Sequence, residues 1–143
     1  MKATSITSLA STYFRSRCAA SGIIVSPITK TRYLISVKGH KPLHCKLHAS
    51  CGTHFKTQKK DCVDPKSIIV YVWDADIDPS CYIMTVSEAM AVLGPNAIKT
   101  KSWTEHGYYS WSSATGIPKK RKAKMETFYK ERWSWLLNNL GAL

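Results

Sequence analysis

The chain has 143 residues, 44% of them apolar and 21% charged, which is ordinary for one compact domain that buries a core without staples. Lys and Arg number 21 against 9 Asp and Glu, a formal charge of +12 that attracts polyanions, chiefly nucleic acid and secondarily anionic membrane. No apolar run approaches a bilayer span, which excludes a transmembrane helix, so nucleic acid rather than membrane is the partner expected, and five irregularly spaced cysteines argue against a disulfide framework and for a reducing compartment, the cytoplasm.

Taken in chain order, residues 4 to 21 read as a helix. Ile6, Leu9, Tyr13 and Phe14 recur at helical spacing, Arg15, Ser16 and Arg17 supply the wet face, and Gly22 ends it. The opening stretch has a basic residue, but its apolar positions are interrupted by Ser, Thr and Tyr, unlike a signal peptide. Three short β-rich runs follow, "IIVSP", "RYLISV" and "LHCKLHAS", with a Gly and a Pro at loop positions between the last two. "THFKT" reads as a further strand. "SIIVYVWDA", nearly all apolar, predicts a central strand, and "CYIMT" another. Thr85 and Glu88 stand at capping-box spacing at the start of a short helix that ends at Gly94. Residues 95 to 117 read as aromatic-rich and irregular. The end, "METFYKERWSWLLNNLG", predicts one helix with Met125, Phe128, Tyr129, Leu136 and Leu140 as its buried stripe. The sum is a single α/β domain over residues 1–143: a mixed central sheet of about five strands flanked by an N-terminal helix and C-terminal helices.

Residues 40 to 62, "HKPLHCKLHASCGTHFKTQKKDC", hold four of the five histidines and three of the five cysteines. Zinc would take tight pairs such as Cys51 with His54 and His44 with His48. Yet 43 to 50 alternate strictly, with Leu43, Cys45, Leu47 and Ala49 on one side and His44, Lys46, His48 and Ser50 on the other. An ammonium between two ligands repels a dication. The run therefore reads as a half-exposed strand with a polar face, Cys45 turned to the core, and no metal is expected.

The stretch "SLASTYFRSRCAASGIIVSPITKTRYLISVKGHKPLHCKLHAS" resembles the opening of small PD-(D/E)XK nuclease-like proteins, which have the restriction-endonuclease-like fold. "SIIVYVWDADIDPSCYIMTVSEAMAVLG" is similar to their strand, hairpin, strand and short helix, and "YKERWSWL" to their Trp-containing C-terminal helix. The resemblance implies a metal-binding Asp on the second strand, and on the third a Glu or Gln, one residue, then Lys. Here Tyr33 stands in the Asp position and His44 in the Glu or Gln position. Only Lys46 matches, and no acid occurs between residues 1 and 60. A hard cation such as Mg²⁺ needs carboxylate oxygens, so the resemblance implies the fold while the residues argue for a degenerate active site.

Two routes to an endonuclease or RNase stay open. Asp74, Asp76 and Asp78 would form a displaced Mg²⁺ site if they shared a strand face, although hairpin-tip chemistry at Asp78-Pro79 is the plainer reading. His44, Lys46 and Tyr33 would otherwise act without metal as general base, phosphate stabiliser and hydrogen-bond donor.

"PKKRKAK" places Lys119, Lys120, Arg121, Lys122 and Lys124 in seven residues, read as a phosphate-contacting loop or, in an organism with a nucleus, a nuclear localisation signal. Lys56, Lys59 and Lys60 form a second cluster. Trp103, Tyr108, Tyr109 and Trp111 would stack on unpaired bases, with at least two of the four expected to cover the core instead. The function expected is nucleic-acid binding, DNA or RNA, by a nuclease-like domain without metal-dependent cleavage. A protein-interaction module acting as inhibitor or assembly subunit is the third class, and a homodimer is left open.

Overall fold

In the computed structural model, residues 5–111 and 117–141 are described. Helix α1 (Ile6–Ala20) leads into strands β1 (Ile24–Pro27), β2 (Arg32–Ser36), β3 (Leu43–Ala49) and β4 (Phe55–Gln58), and then into β5 (Ile68–Trp73) and β6 (Ser80–Thr85). Helix α2 (Val86–Leu93) and α3 (Lys101–His106) precede β7 (Tyr108–Trp111), and α4 (Lys119–Phe128) and α5 (Trp133–Gly141) close the chain. A 3-10 turn, Lys59–Asp61, follows β4.

The main sheet runs β1-β2-β3-β5-β6, antiparallel except for the parallel β3–β5 pair, and β4 pairs with β7 in a separate two-stranded sheet. Strand β5 is buried along its whole length, as its unbroken apolar run requires. Ile68, Val70 and Val72 enter the core on one face, where α1 and α5 contribute Ala10, Phe14, Cys18, Trp133, Leu136 and Leu140. Ile69, Tyr71 and Trp73 enter the other, packed by α2, α3, α4 and Phe55 of β4. Each such side chain contributes roughly 1.5–3 kcal/mol by leaving water. The chain is thus a single small α/β domain with a mixed five-stranded sheet between an N-terminal helix and C-terminal helices.

Helix α1 begins where Ser5 caps the Ser8 N–H, and the chain turns at Gly22, whose φ of 80° favours glycine. The capping box of α2 forms as the spacing predicts, Thr85 and Glu88 each accepting from the other's backbone N–H.

Three expectations are corrected. The segment 95 to 117, read as irregular, holds α3 and β7 in its described part, while residues 112–116 lie outside the described residues: Thr100 caps α3 by accepting from the Trp103 N–H, and Gly107 ends it at φ 73°. The "THFKT" strand lies outside the main sheet, held against it by the buried Thr57–Tyr71 hydroxyl pair (2.8 Å) and by the Trp73 indole donating to the His54 carbonyl (2.8 Å). The C-terminal segment is two helices. Tyr129 and Glu131 pair with the outer edge of β6 through Ile83 N to Tyr129 O (2.9 Å) and Glu131 N to Cys81 O (2.7 Å), with Glu131 at φ 50°. The break carries the chain round the sheet edge, so Met125 and Tyr129 pack on one face and Leu136 and Leu140 on the other, while Phe128 is exposed. Helical periodicity runs straight through this crossing because those backbone bonds are tertiary.

Candidate nucleic-acid interface

Strand β3 alternates as its sequence predicts. Cys45 and Leu47 are buried on the α1 face, where burial pushes the Cys45 thiol well up and leaves it a small hydrophobe. His44 and Lys46 point to the opposite face.

Tyr33 does not join them. In the antiparallel β2–β3 pair it lies opposite Cys45, so its side chain shares the α1 face. There it is 1% exposed, 2.6 Å from the Ser11 hydroxyl, donates to the Lys30 carbonyl at 2.8 Å and packs its ring 5.4 Å from that of Phe14. The expected trio of Tyr33, His44 and Lys46 is therefore split by the sheet. The parity that removes Tyr33 supplies Arg32, which lies opposite Lys46.

Arg32, His44 and Lys46 line a cleft of about 330 Å³ over β2 and β3, closed by Lys60, Asp61 and Asp64 from the segment after β4. The Arg32 guanidinium is 2.6 Å from Asp61 Oδ1; the Asp61 side chain is 2% exposed and that of Arg32 37%. Asp61 Oδ2 is buried with no hydrogen-bond partner among the described residues. The Lys46 ammonium donates to the Thr31 hydroxyl at 2.9 Å. Burial, then Arg32, lowers its pKa, with Asp61 opposing. Nothing in the local sequence marks Asp61, Asp64 or Arg32: "KTQKKDC" stands out for its lysines, and Arg32 shows itself only once the β2–β3 register is known.

His48, further along β3, stacks on Tyr71 with ring centroids 5.2 Å apart, and its Nε2 is buried without a partner among the described residues. Burial first, then Lys46, Lys56 and Arg32, push its pKa down to about 3, so it is a neutral ring wedged beneath the small sheet. Among the described residues no three His, Cys, Asp or Glu side chains gather as a metal site would require.

The second lysine cluster adjoins the cleft. Lys60 and Val63 line both the cleft and a neighbouring hollow of about 810 Å³, which Lys59, His106 and Tyr108 also line. Lys56 holds its ammonium 5.1 Å from the centre of the Tyr108 ring. Of the four aromatics, Trp103 is buried and Tyr109 and Trp111 pack against the core, while Tyr108 is 40% exposed.

The basic run near the C-terminus is not a loop. Lys119 to Lys124 form the first turns of α4, with Pro118 at the N-cap position. Arg121 is turned inward: it donates to the Val92 carbonyl at the end of α2 and lies 5.3 Å from the Trp111 ring. Lys122 pairs with Glu126 at 3.8 Å, and Lys119, Lys120 and Lys124 are exposed. Asp74, Asp76 and Asp78 do not share a strand face. Strand β5 ends at Trp73, and Asp74, at φ 51°, accepts from the Ile77 and Asp78 N–H groups in a tight turn. The displaced metal site loses its geometric premise.

No known protein family, curated protein or solved structure matches the chain. Among the described residues no helix is long and apolar enough to cross a membrane.

Proposed function

We propose that the protein binds nucleic acid by its phosphates, along the face of the sheet left open over β2 and β3. The observation that carries this reading is the gathering of Arg32, His44, Lys46 and Lys60 in one cleft, with Lys59 and Lys56 extending it past a shared wall. These residues come from β2, β3, β4 and the 3-10 turn after it, and the net charge of +12 adds a long-range field of the same sign. Arg32 is held in place by Asp61, and Lys46 by the Thr31 hydroxyl, so their charged ends need little ordering on binding.

Metal-dependent cleavage is not part of this function. A Mg²⁺ site needs converging carboxylate oxygens. The most enclosed acid of the cleft, Asp61, is engaged by a guanidinium and stands among Lys46 and Lys60, whose charges repel a dication. A nuclease-like framework whose cleft charge is reversed, with Arg32, Lys46 and Lys60 outnumbering Asp61 and Asp64, accounts for the resemblance, while the expected carboxylate positions hold His44 and, on the closed face, Tyr33.

The test is binding of a labelled oligonucleotide at low and raised salt, with and without Mg²⁺. Affinity should fall steeply with salt, and the strand should stay intact when Mg²⁺ is present. Salt-insensitive affinity would remove the phosphate reading, and Mg²⁺-dependent cleavage would remove the reversed-charge reading.

A further inference from the structure

The hollow beside the cleft differs from it in chemistry. Its lining includes Cys62, Val63, Met90, Trp103, His106 and Tyr108, with the cations Lys59 and Lys60. About 810 Å³ is far more room than a phosphate needs and lies within the range of pockets that hold flat organic ligands. An apolar and aromatic lining with two cations suits a ring that carries an anion, and a base attached to its own phosphate is such a ligand. The Gln58 side-chain oxygen, on the same lining, is buried and has no hydrogen-bond partner among the described residues. An enclosed amide with unused hydrogen-bonding capacity costs stability unless a ligand completes it.

We propose that this hollow receives an unpaired nucleobase of the strand whose phosphates lie along the neighbouring cleft, so that the protein prefers single-stranded nucleic acid to duplex. The inference rests on the phosphate reading and adds to it. Lys60 lines both spaces and would hold the phosphate between base and cleft. Tyr108, on the short strand β7 and 40% exposed, offers its ring as a stacking surface, with Lys56 already set over it. Stacked bases in a duplex are closed to such a pocket, and an unpaired base enters it without the cost of unstacking.

The experiment measures fluorescence anisotropy of one labelled oligonucleotide, single-stranded and annealed to its complement, at the same low salt. The single strand should bind about tenfold more tightly, the low end of what one stacked base contributes. Met90→Trp, which fills the hollow, should remove that preference while leaving duplex affinity unchanged, and Tyr108→Ala should lower single-strand affinity well beyond any loss for the duplex through Lys56. Tyr108→Phe should keep the preference. Circular dichroism and a urea midpoint check that each variant folds. Equal affinity for the two forms, each falling steeply with salt, would overturn the base pocket and leave the phosphate reading standing. An equal loss for both forms in Tyr108→Ala would do the same. No binding to either form would overturn the phosphate reading and the pocket with it.

Discussion

The two faces of the main sheet have opposite fates over the same strands. Above β2 and β3, the α1 face is closed: Tyr33, Ile35, Cys45 and Leu47 are buried under α1 and α5, and the Tyr33 hydroxyl is consumed by Ser11 and the Lys30 carbonyl. The other face is covered by α2, α3 and α4 over β5 and β6, but over β2 and β3 it leaves Arg32, His44 and Lys46 in an open cleft. One residue's shift along a strand exchanges these environments. Chemistry therefore follows parity: a residue type fit for a site is irrelevant to it when it stands on the closed face.

The sharpest way to break this comparison is to put charge on the closed face. Tyr33→Asp should destabilise the protein by ~3–5 kcal/mol, because a carboxylate would be buried where the ring packs on Phe14 and the hydroxyl's partners would be abandoned. Urea unfolding measures it. The double variant Tyr33→Asp with His44→Glu should gain no Mg²⁺ affinity, since the two carboxylates would sit on opposite sides of the sheet; calorimetric Mg²⁺ binding in a folded double variant would show the faces to be wrongly assigned.

The open face answers in binding rather than stability. Lys46→Ala with Lys60→Ala should weaken binding at low salt on the order of tenfold, with a urea midpoint close to that of the parent protein. A midpoint that falls with the affinity would make these lysines part of the core's support.

On the His44 and Lys46 side of β3, but stacked against Tyr71, His48 is neutral because burial and the nearby cations hold its pKa at about 3. In the unfolded chain an ordinary histidine takes up a proton near pH ~6.5. The unfolded state therefore binds more protons below that value, and the stability His48 contributes is present above it and is lost as pH falls towards about 3. The urea midpoint should drop over this window, and His48→Phe should flatten the drop. An unchanged profile in His48→Phe would place the acid sensitivity elsewhere.

The smallest effect belongs to the covered half of the open face. Arg121→Ala should cost about 1 kcal/mol, through the lost bond to the Val92 carbonyl and the exposure of Trp111, with no change in nucleic-acid affinity. Stability that held while affinity fell would return Arg121 to the interface.

Much of this architecture is legible in local pattern. The period-two run of β3, the apolar β5 and the capping box at Thr85 each announce themselves in local sequence, whereas of the stripe read for α1 only Phe14 is buried, together with Ala10 and Cys18. The crossing at Tyr129 to Glu131 is not legible, since the bonds that stop the helix come from β6. The site was half legible. His44 and Lys46 stand out by alternation, whereas Arg32 and Asp61 need the β2–β3 register and the fold of the segment after β4. "PKKRKAK" reads as a loop, but it starts helix α4, which leaves Lys119, Lys120 and Lys124 exposed and turns Arg121 inward.

That contrast yields the most direct measurement of the central claim, the slope of log affinity against log salt for one duplex. Three proteins are compared: the parent chain, the cleft variant Arg32→Gln with Lys46→Ala and Lys60→Ala, and the helix variant Lys119→Ala with Lys120→Ala and Lys124→Ala. Each lost phosphate contact should flatten the slope by about 0.9. The account predicts a loss of about 2 to 3 for the cleft variant and less than about 1 for the helix variant. The reverse order would contradict it and move the nucleic-acid surface to α4.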